Sequence, residues 1–587
     1  MMKRTLLAIL ITAAAIYPSA PLMIPLTDRA TYDFLEYLNT SRVINIPFTG
    51  VKPYRSDDIY QILTGIEEPD PVTERFIASF KEKYISGEEK FGSTTSKNST
   101  AWFDPYLNQS HIQQNASEKP LYRKKSIYSW LGATDRDLNY SYPDISQSVT
   151  DGGIRGYISY KDFISLYTES GIMIKHNHKA GTDDMRDEYR TLVLVPSGGM
   201  ADFSSEDYTM TVFTVSGEDI YFTFGKYPVS MGSGMINSAT VSPIDSYYEN
   251  FMFSFGGKRV RFTTLTGFLL ADQQTRRERE GWRWNKREKF LSAHRLEWRV
   301  MNNLALGANS MIISGDRPIE PGYLFPILPL RWMEHYYGDL DNALVSVDFK
   351  YSPARNFTLY GELLIDDESH TKSWTGNYVN KWAINAGILN TNFLTLKNLS
   401  FNFEFSRVEP YVYGHKVNIN RYMNLDEFLS IPAGPDSETL NFRLKYFLDH
   451  NKHITAGYTR ENRGEPVWAY WTRIPWHKID GKVFLRGTVE KTSRFYTELH
   501  YAYNKYISAD IYYSHTRIEN YNHNLPPYDQ NWLERYEDPA NDYASTRDYY
   551  EREIVPAKTQ QNYTNNTFSL RLNIVFKNYL SSLFGKE

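Results

Sequence analysis

Between Asn342 and Asp366 the chain alternates with period two. Ala343, Val345, Val347, Phe349 and Tyr351 fall on one side, and Asn342, Leu344, Ser346, Asp348 and Lys350 on the other. Ser352-Pro353-Ala354-Arg355-Asn356 then carries turn chemistry. After it Phe357, Leu359, Gly361, Leu363 and Ile365 alternate against Thr358, Tyr360, Glu362, Leu364 and Asp366. Successive side chains of a strand point to opposite faces, so this is two strands, each with one apolar and one mostly polar face. Leu344 and Leu364 are the exceptions on the polar face.

The pattern recurs from about residue 150 onward. Val260, Phe262 and Thr264 oppose Arg259, Arg261 and Thr263. Leu296, Trp298 and Val300 oppose Arg295, Glu297 and Arg299. Phe401, Phe403 and Phe405 oppose Asn402, Glu404 and Ser406, and Leu440, Phe442, Leu444 and Tyr446 oppose Asn441, Arg443 and Lys445. Val483, Leu485 and Val489 oppose Arg486, Thr488 and Glu490. Phe495, Thr497, Leu499 and Tyr501 oppose Tyr496, Glu498 and His500, and Phe568, Leu570, Leu572, Ile574 and Phe576 form the last candidate strand. A soluble sandwich alternates too. Two features favour a membrane barrel instead. Arg, Lys and Glu recur on the polar face, as a wet lumen tolerates. Tyr and Trp cluster near strand ends, as at Trp282/Trp284, Tyr336-Tyr337, Trp468-Ala469-Tyr470-Trp471 and Tyr512-Tyr513, where interfacial girdles need amphipathic rings. The expected fold is all-β: a transmembrane antiparallel β-barrel of roughly 16–18 strands, at roughly 25 residues per strand and connection. Residues 519–563 read as a long external loop.

Composition agrees with that class. There are 46 Tyr, 32 Phe and 12 Trp in 587 residues, and no Cys. Mean hydropathy is −0.52, and beyond the N-terminus no run approaches the ~18 apolar residues of a transmembrane helix. A net charge of −4 provides no field for nucleic acid. The missing Cys excludes disulfides, thiol catalysis and Cys-ligated zinc. Residues 1–20, MMKRTLLAILITAAAIYPSA, have the form of a secretory signal peptide, with Lys3 and Arg4 before an apolar stretch; an uncleaved anchor is the alternative. Residues 21–90 form a small N-terminal helical region: Thr27 or Asp28 caps a helix through Leu38, Asp57–Leu63 makes a second, and Thr73-Glu74 opens a third. Residues 91–150 read as a transition segment and 151–587 as the barrel.

No catalytic constellation stands out. Glu362 and Asp366 share a face but lie roughly 13 Å apart along a strand, beyond the ~5–9.5 Å of paired glycosidase acids. Asp366-Asp367-Glu368 lacks the spacing of a calcium loop. His176 and His178 are too few for a metal site, and Gly232-Ser233-Gly234 is not a nucleotide fingerprint. No metal or cofactor is expected. Residues 276–289 are strongly basic. Arg276, Arg277, Arg279 and Arg283 lie there beside Trp282 and Trp284, a combination that can stack on sugars and pair with acidic polysaccharide. The alternative is a solvated loop whose tryptophans mark the membrane interface.

Three stretches resemble the Wzi-like capsule assembly family of outer-membrane proteins. They are TYDFLEYLNTSRVINIPFTGVKPYRSDDIYQIL (31–63), FGKYPVSMGSGMINSATVSPIDSYY (224–248) and DNALVSVDFKYSPARNFTLYGELLIDD (341–367). At Met231–Gly234 the sequence departs from the Trp-Gly-Pro-Gly-like turn of the family. The resemblance implies a monomeric barrel in the bacterial outer membrane, in contact with outer-membrane lipid, with its helical region at the periplasmic side. It also implies a non-catalytic role in binding, anchoring or assembling capsular or exopolysaccharide at the cell surface. Strand parity and the resemblance together single out Asp348, Tyr360, Glu362, Asp366 and Asp367 as lumen or motif residues. A porin-like channel for small solutes is the competing reading, and an outer-membrane enzyme acting on glycan or lipid a third.

Overall fold

The structure is a computed structural model. It describes residues 22–575 apart from 87–91, 97–98, 119–144, 162, 178–194, 201–202, 245–246, 272–287, 368–379, 416, 426, 466–482, 505, 525–551 and 553–555. Residues 1–20, read above as a signal peptide, lie outside it, as do Trp468, Tyr470, Trp471 and Phe576.

A closed antiparallel barrel of 18 strands dominates. In chain order these are β1 (Ser99–Glu118), β2 (Ile145–Tyr160), β3 (Ile164–Asn177), β4 (Phe203–Ser216), β5 (Ile220–Lys226) and β6 (Glu249–Gly256). Then come β7 (Val260–Phe268), β8 (Lys289–Met301), β9 (Leu304–Gly315), β10 (Asn342–Ala354), β11 (Phe357–Asp367) and β12 (Lys381–Thr391). The last six are β13 (Leu399–Val408), β14 (Ser437–Asp449), β15 (Lys452–Arg463), β16 (Glu490–Ala502), β17 (Ile507–Glu519) and β18 (Asn562–Val575). Each pairs with the next, and β18 closes onto β1 with Phe568 opposite Gln113. Closure leaves no sheet edge, which a lipid environment requires.

Parity follows the alternation. Val345, Val347 and Phe349 are exposed on the outside, as are Phe568, Leu570 and Leu572, while Ser346 and Asp348 are buried inside. The two exceptions have a physical reason. Leu344 and Leu364 face the lumen and are fully buried in an apolar core with Ala239, Val241 and Val408, because at that height the lumen is filled with protein. Two stretches differ from the sequence reading. The barrel already begins at Ser99, inside the segment read as a transition; the buried side of β1 mixes Trp102, Asp104, Tyr106, Ile112 and Gln114, so no apolar–polar contrast marks it. Residues 483–489 are a connection, not a strand: Leu485 has φ 54° and Gly487 φ 82°, which breaks extension.

Connections at one end are short turns, such as Asn302-Asn303 and Arg355-Asn356, and at the other they are long. In outer-membrane barrels the short turns are periplasmic. The helical region sits at that end. Helix α1 (Arg29–Thr40) is capped by Asp28, whose carboxylate accepts the Thr31 N–H. Helix α2 (Ser56–Thr64) carries Asp57 and Asp58 in its first turn, favourable to the helix dipole. Helix α3 (Pro71–Lys81) starts at Asp70, which accepts from Val72 and Thr73 N–H, with Pro71 at the first position.

Apolar stripes of these helices enter the barrel mouth. The Phe34 ring packs 4.7 Å from that of Phe76 and edge-on at 5.3 Å to Phe447 of β14. Full burial of such a ring is worth about 1.5–3 kcal/mol. Charge matching fixes the orientation. On α1, Glu36 meets Lys350 of β10 at 2.6 Å, and Asp33 pairs with Lys445 and Arg443 of β14. Arg75 of α3 reaches Asp449 at 2.9 Å.

Candidate functional site

Two long connections fold back into the barrel and meet the helical plug. In the connection from β5 to β6, Ser230-Met231 pairs as a short antiparallel ladder with Val51-Lys52 of the N-terminal region. The next residues are caged by wall carboxylates. Glu362 of β11 accepts the Gly234 N–H at 2.9 Å and the Ala239 N–H. Glu404 of β13 accepts the N–H groups of Met235, Ile236 and Asn237 at 3.2, 2.9 and 2.8 Å. Tyr360 donates its hydroxyl to Glu404 at 2.8 Å. Gly232 has φ 126°, and a Cβ there would lie 2.1 Å from Glu362 Oε1, so this tight approach needs glycine. The connection from β13 to β14 covers this segment: Tyr422 donates to the Thr240 carbonyl at 2.7 Å, and Ser430 to that of Ala239, also at 2.7 Å.

A second buried network ties the plug to the wall. Arg295 of β8 makes a bidentate pair with Asp348 at 2.6 and 3.0 Å and bonds Asn309 at 2.9 Å. Its neighbour Glu297 accepts the N–H groups of Thr49 and Gly50 at 3.1 and 3.2 Å. A Cβ on Gly50 would lie 1.9 Å from the Arg295 guanidinium.

These contacts place the lumen candidates. Glu362 is buried and holds the inward loop, Tyr360 is buried and bonds Glu404, and Asp348 is buried within the wall, paired with Arg295 and Asn309. Asp366 accepts the Tyr413 N–H at 2.6 Å and faces Lys381 at 3.8 Å. Asp367 ends β11, its backbone paired with Lys381. The lumen charges of β8–β13 therefore fasten inserted chain rather than line open water. Sequence reasoning missed the roles of Arg295 and Glu404. Each was legible as a charge on an inward face, but its partner is distant in sequence. The basic and aromatic candidates Arg276, Arg277, Arg279, Trp282, Arg283 and Trp284 lie outside the described residues.

The external connection from β9 to β10 is described, and it displays aromatics. Helix α4 (Pro321–Leu324) and helix α5 (Leu330–Tyr336) fold it. Tyr323, Leu330 and Ile312 of β9 form a small core. Tyr323 donates to Asp341 at 2.7 Å, and Arg317 also reaches that carboxylate. Leu330 and Glu334 point inward. Trp332 and Tyr336, one helical turn apart and on one face, are 72% and 78% exposed. Arg331 and His335 flank them, and Phe325 and Ile327 are exposed nearby. Tyr336 is thus on an external helix rather than in an interfacial girdle at a strand end. Burial pushes the Glu334 carboxyl up to about 7, helped by its hydrogen bond with Asp339 and opposed by Arg331. Glu334, His335 and Asp339 bring possible metal-ligand atoms within 4.8 Å of one another, but Glu334 is already engaged by Arg331 at 2.8 Å.

Residues 259–531 match the family model described as capsule assembly protein Wzi. Among solved structures, Wzi of Escherichia coli, described as an outer membrane protein involved in group 1 capsule assembly and a carbohydrate binding β-barrel, is 11% identical. The match covers 95% of this chain and 100% of that one with a TM-score of 0.53, and it shows the fold. Pseudomonas aeruginosa OccK7 (OpdD) is 7% identical, covering 81% of this chain and 99% of that one, with a TM-score of 0.40. OprD of the same organism is 9% identical over 81% and 93%, with a TM-score of 0.39. Likeness at that level carries no argument about function. No curated protein matches the chain. With the family's model on residues 259–531 and a closed 18-strand barrel around it, the chain is similar to the Wzi capsule assembly family over that stretch and has the fold of an outer-membrane β-barrel.

Proposed function

We propose that the protein binds capsular or exopolysaccharide at the cell surface and helps to anchor or assemble it there, as a monomer and without catalysis. The observation that carries this reading is the combination of connections folded inward against the barrel wall with a firmly anchored external platform. Trp332 and Tyr336 offer ring faces to sugar C–H surfaces, and Arg331 offers a cation to uronate or phosphate. The basic stretch from Arg276 to Trp284 adds the same chemistry on the adjacent connection, between β7 and β8. Capsule assembly in the family, and carbohydrate binding by the Escherichia coli protein, support the ligand class. The non-catalytic role is supported by Glu362 and Asp366, whose carboxylates are buried against backbone N–H groups. Nucleic acid has no part in it.

Binding of purified surface polysaccharide to the protein in detergent tests the platform. A W332A/Y336A variant should bind roughly tenfold more weakly, a loss of about 1.4 kcal/mol. These side chains are exposed, so the melting temperature should not move. Unchanged affinity would remove the platform from the binding surface.

A further inference from the structure

Between the plug and the periplasmic turns lies a cleft of about 510 Å³, within the range of sites that enclose a small molecule. One wall is the chain following α1, residues 39–49, with Ile62 and Ile66. The other is the β8–β9 turn, with Lys350 and Ser352 of β10. Strand parity sets its direction. Trp298 faces lipid and is 49% exposed, whereas Glu297 is buried on the inner side. Arg299 shares the parity of Glu297 and points into the barrel mouth. The cleft is therefore reached from the periplasm and not from the bilayer.

Its charge is one-sided. Arg42, Arg299 and Lys350 line it, and among the described residues no carboxylate does. Lys350 is neutralised by Glu36. Arg42 gives one N–H to the Ser352 carbonyl at 2.7 Å, which leaves its other donors available. The half-buried Arg299 guanidinium has no partner among the described residues. Arg42 follows the Ser41 cap of α1 with φ 56° and closes that helix, with the Val43 N–H returning to the Leu38 carbonyl at 3.0 Å, which fixes where its side chain starts. Asn45 and Asn302 add amides suited to hydroxyl groups, and Val43, Ile66 and Leu304 supply an aliphatic wall. Cations for an acid, amides for hydroxyls and a short apolar flank together match an acidic sugar. An acyl chain would need a longer apolar groove open to lipid.

We propose that this cleft binds the anionic end of a saccharide, a uronate or sugar phosphate, presented from the periplasm. The inference rests on the glycan-handling reading for its ligand class, but it places a second site at the opposite end of the barrel from the Trp332 platform.

The test uses the full-length protein in detergent and a glucuronate-terminated disaccharide, titrated by calorimetry. Maltose, inorganic phosphate and a short-chain phosphatidylglycerol serve as comparison probes. Wild type should bind the acidic disaccharide saturably and maltose not at all. R42Q/R299Q should bind at least tenfold more weakly with its melting temperature unchanged. W332A/Y336A should retain this binding, which separates the cleft from the platform. Equal binding by R42Q/R299Q and wild type would overturn the inference, as would inorganic phosphate or phosphatidylglycerol binding as tightly as the disaccharide. Loss in W332A/Y336A alone would also overturn it, while leaving the platform reading intact.

Discussion

Glu404 takes three consecutive backbone N–H groups, and Glu362 takes two more from the same short segment. The N–H groups of residues 234–239 have no strand partner in these contacts and take side-chain acceptors instead, five of them from the wall glutamates. Removing one such acceptor leaves several buried N–H groups unsatisfied, at about 1–3 kcal/mol for each group not rescued by water. The E404A variant is therefore expected to destabilise the segment 234–239 by about 2–4 kcal/mol while the barrel wall stays closed. Hydrogen exchange reads this directly: faster exchange should be confined to that segment and its neighbours in the β13–β14 connection. Uniform protection equal to wild type would show that the carboxylate does not hold the loop. Of these residues the sequence revealed the face each one occupies. What each one touches stayed hidden, because Glu404 meets Asn237 across 167 positions of chain and parity says nothing about partners that far apart.

At the scale of elements, the strands with strong contrast were legible and those with mixed faces were not. β10, β11 and β18 show apolar residues on one side and polar ones on the other. β1 does not, because its inner face includes Trp102, Tyr106 and Ile112 packed within a filled lumen. The same filling explains why Leu344 and Leu364 break the alternation. The short helix α5 was overlooked because Tyr336-Tyr337 resembles an interfacial pair; seven residues offer little periodicity. That helix carries its own pH dependence. Glu334 has its folded pKa raised to about 7 by burial and by the Asp339 hydrogen bond, above an unfolded value of about 4.3. Its contribution to the fold of this connection is full below the unfolded value and is lost as pH rises through about 7. Acrylamide quenching of Trp332 emission should increase from pH 5 to pH 8.5, and E334Q should abolish the change. Quenching that is flat with pH in wild type would contradict the assignment.

For the whole molecule, one closed sheet serves three environments. Its outside presents aliphatic and aromatic side chains to lipid, its inside grips inserted chain, and its long connections face the exterior. The helices pack into one mouth of the barrel through Phe34, Asp33 and Glu36, and the connection from β5 meets the N-terminal region within the barrel. Chain inserted in this way narrows any solute path, so planar bilayers containing the protein are expected to show no large open conductance. Large conductance from the intact protein would favour the channel reading. The proposed hold on surface polysaccharide rests on the aromatic external platform, set beside connections folded into the barrel. The most direct measurement is the partition of polysaccharide between cells and medium after the gene is deleted. Polysaccharide should be made in normal amount but shed into the medium, with cell-bound material restored by the intact gene and only partly by the W332A/Y336A form. Cell-bound polysaccharide unchanged by the deletion would contradict a role in holding it at the surface.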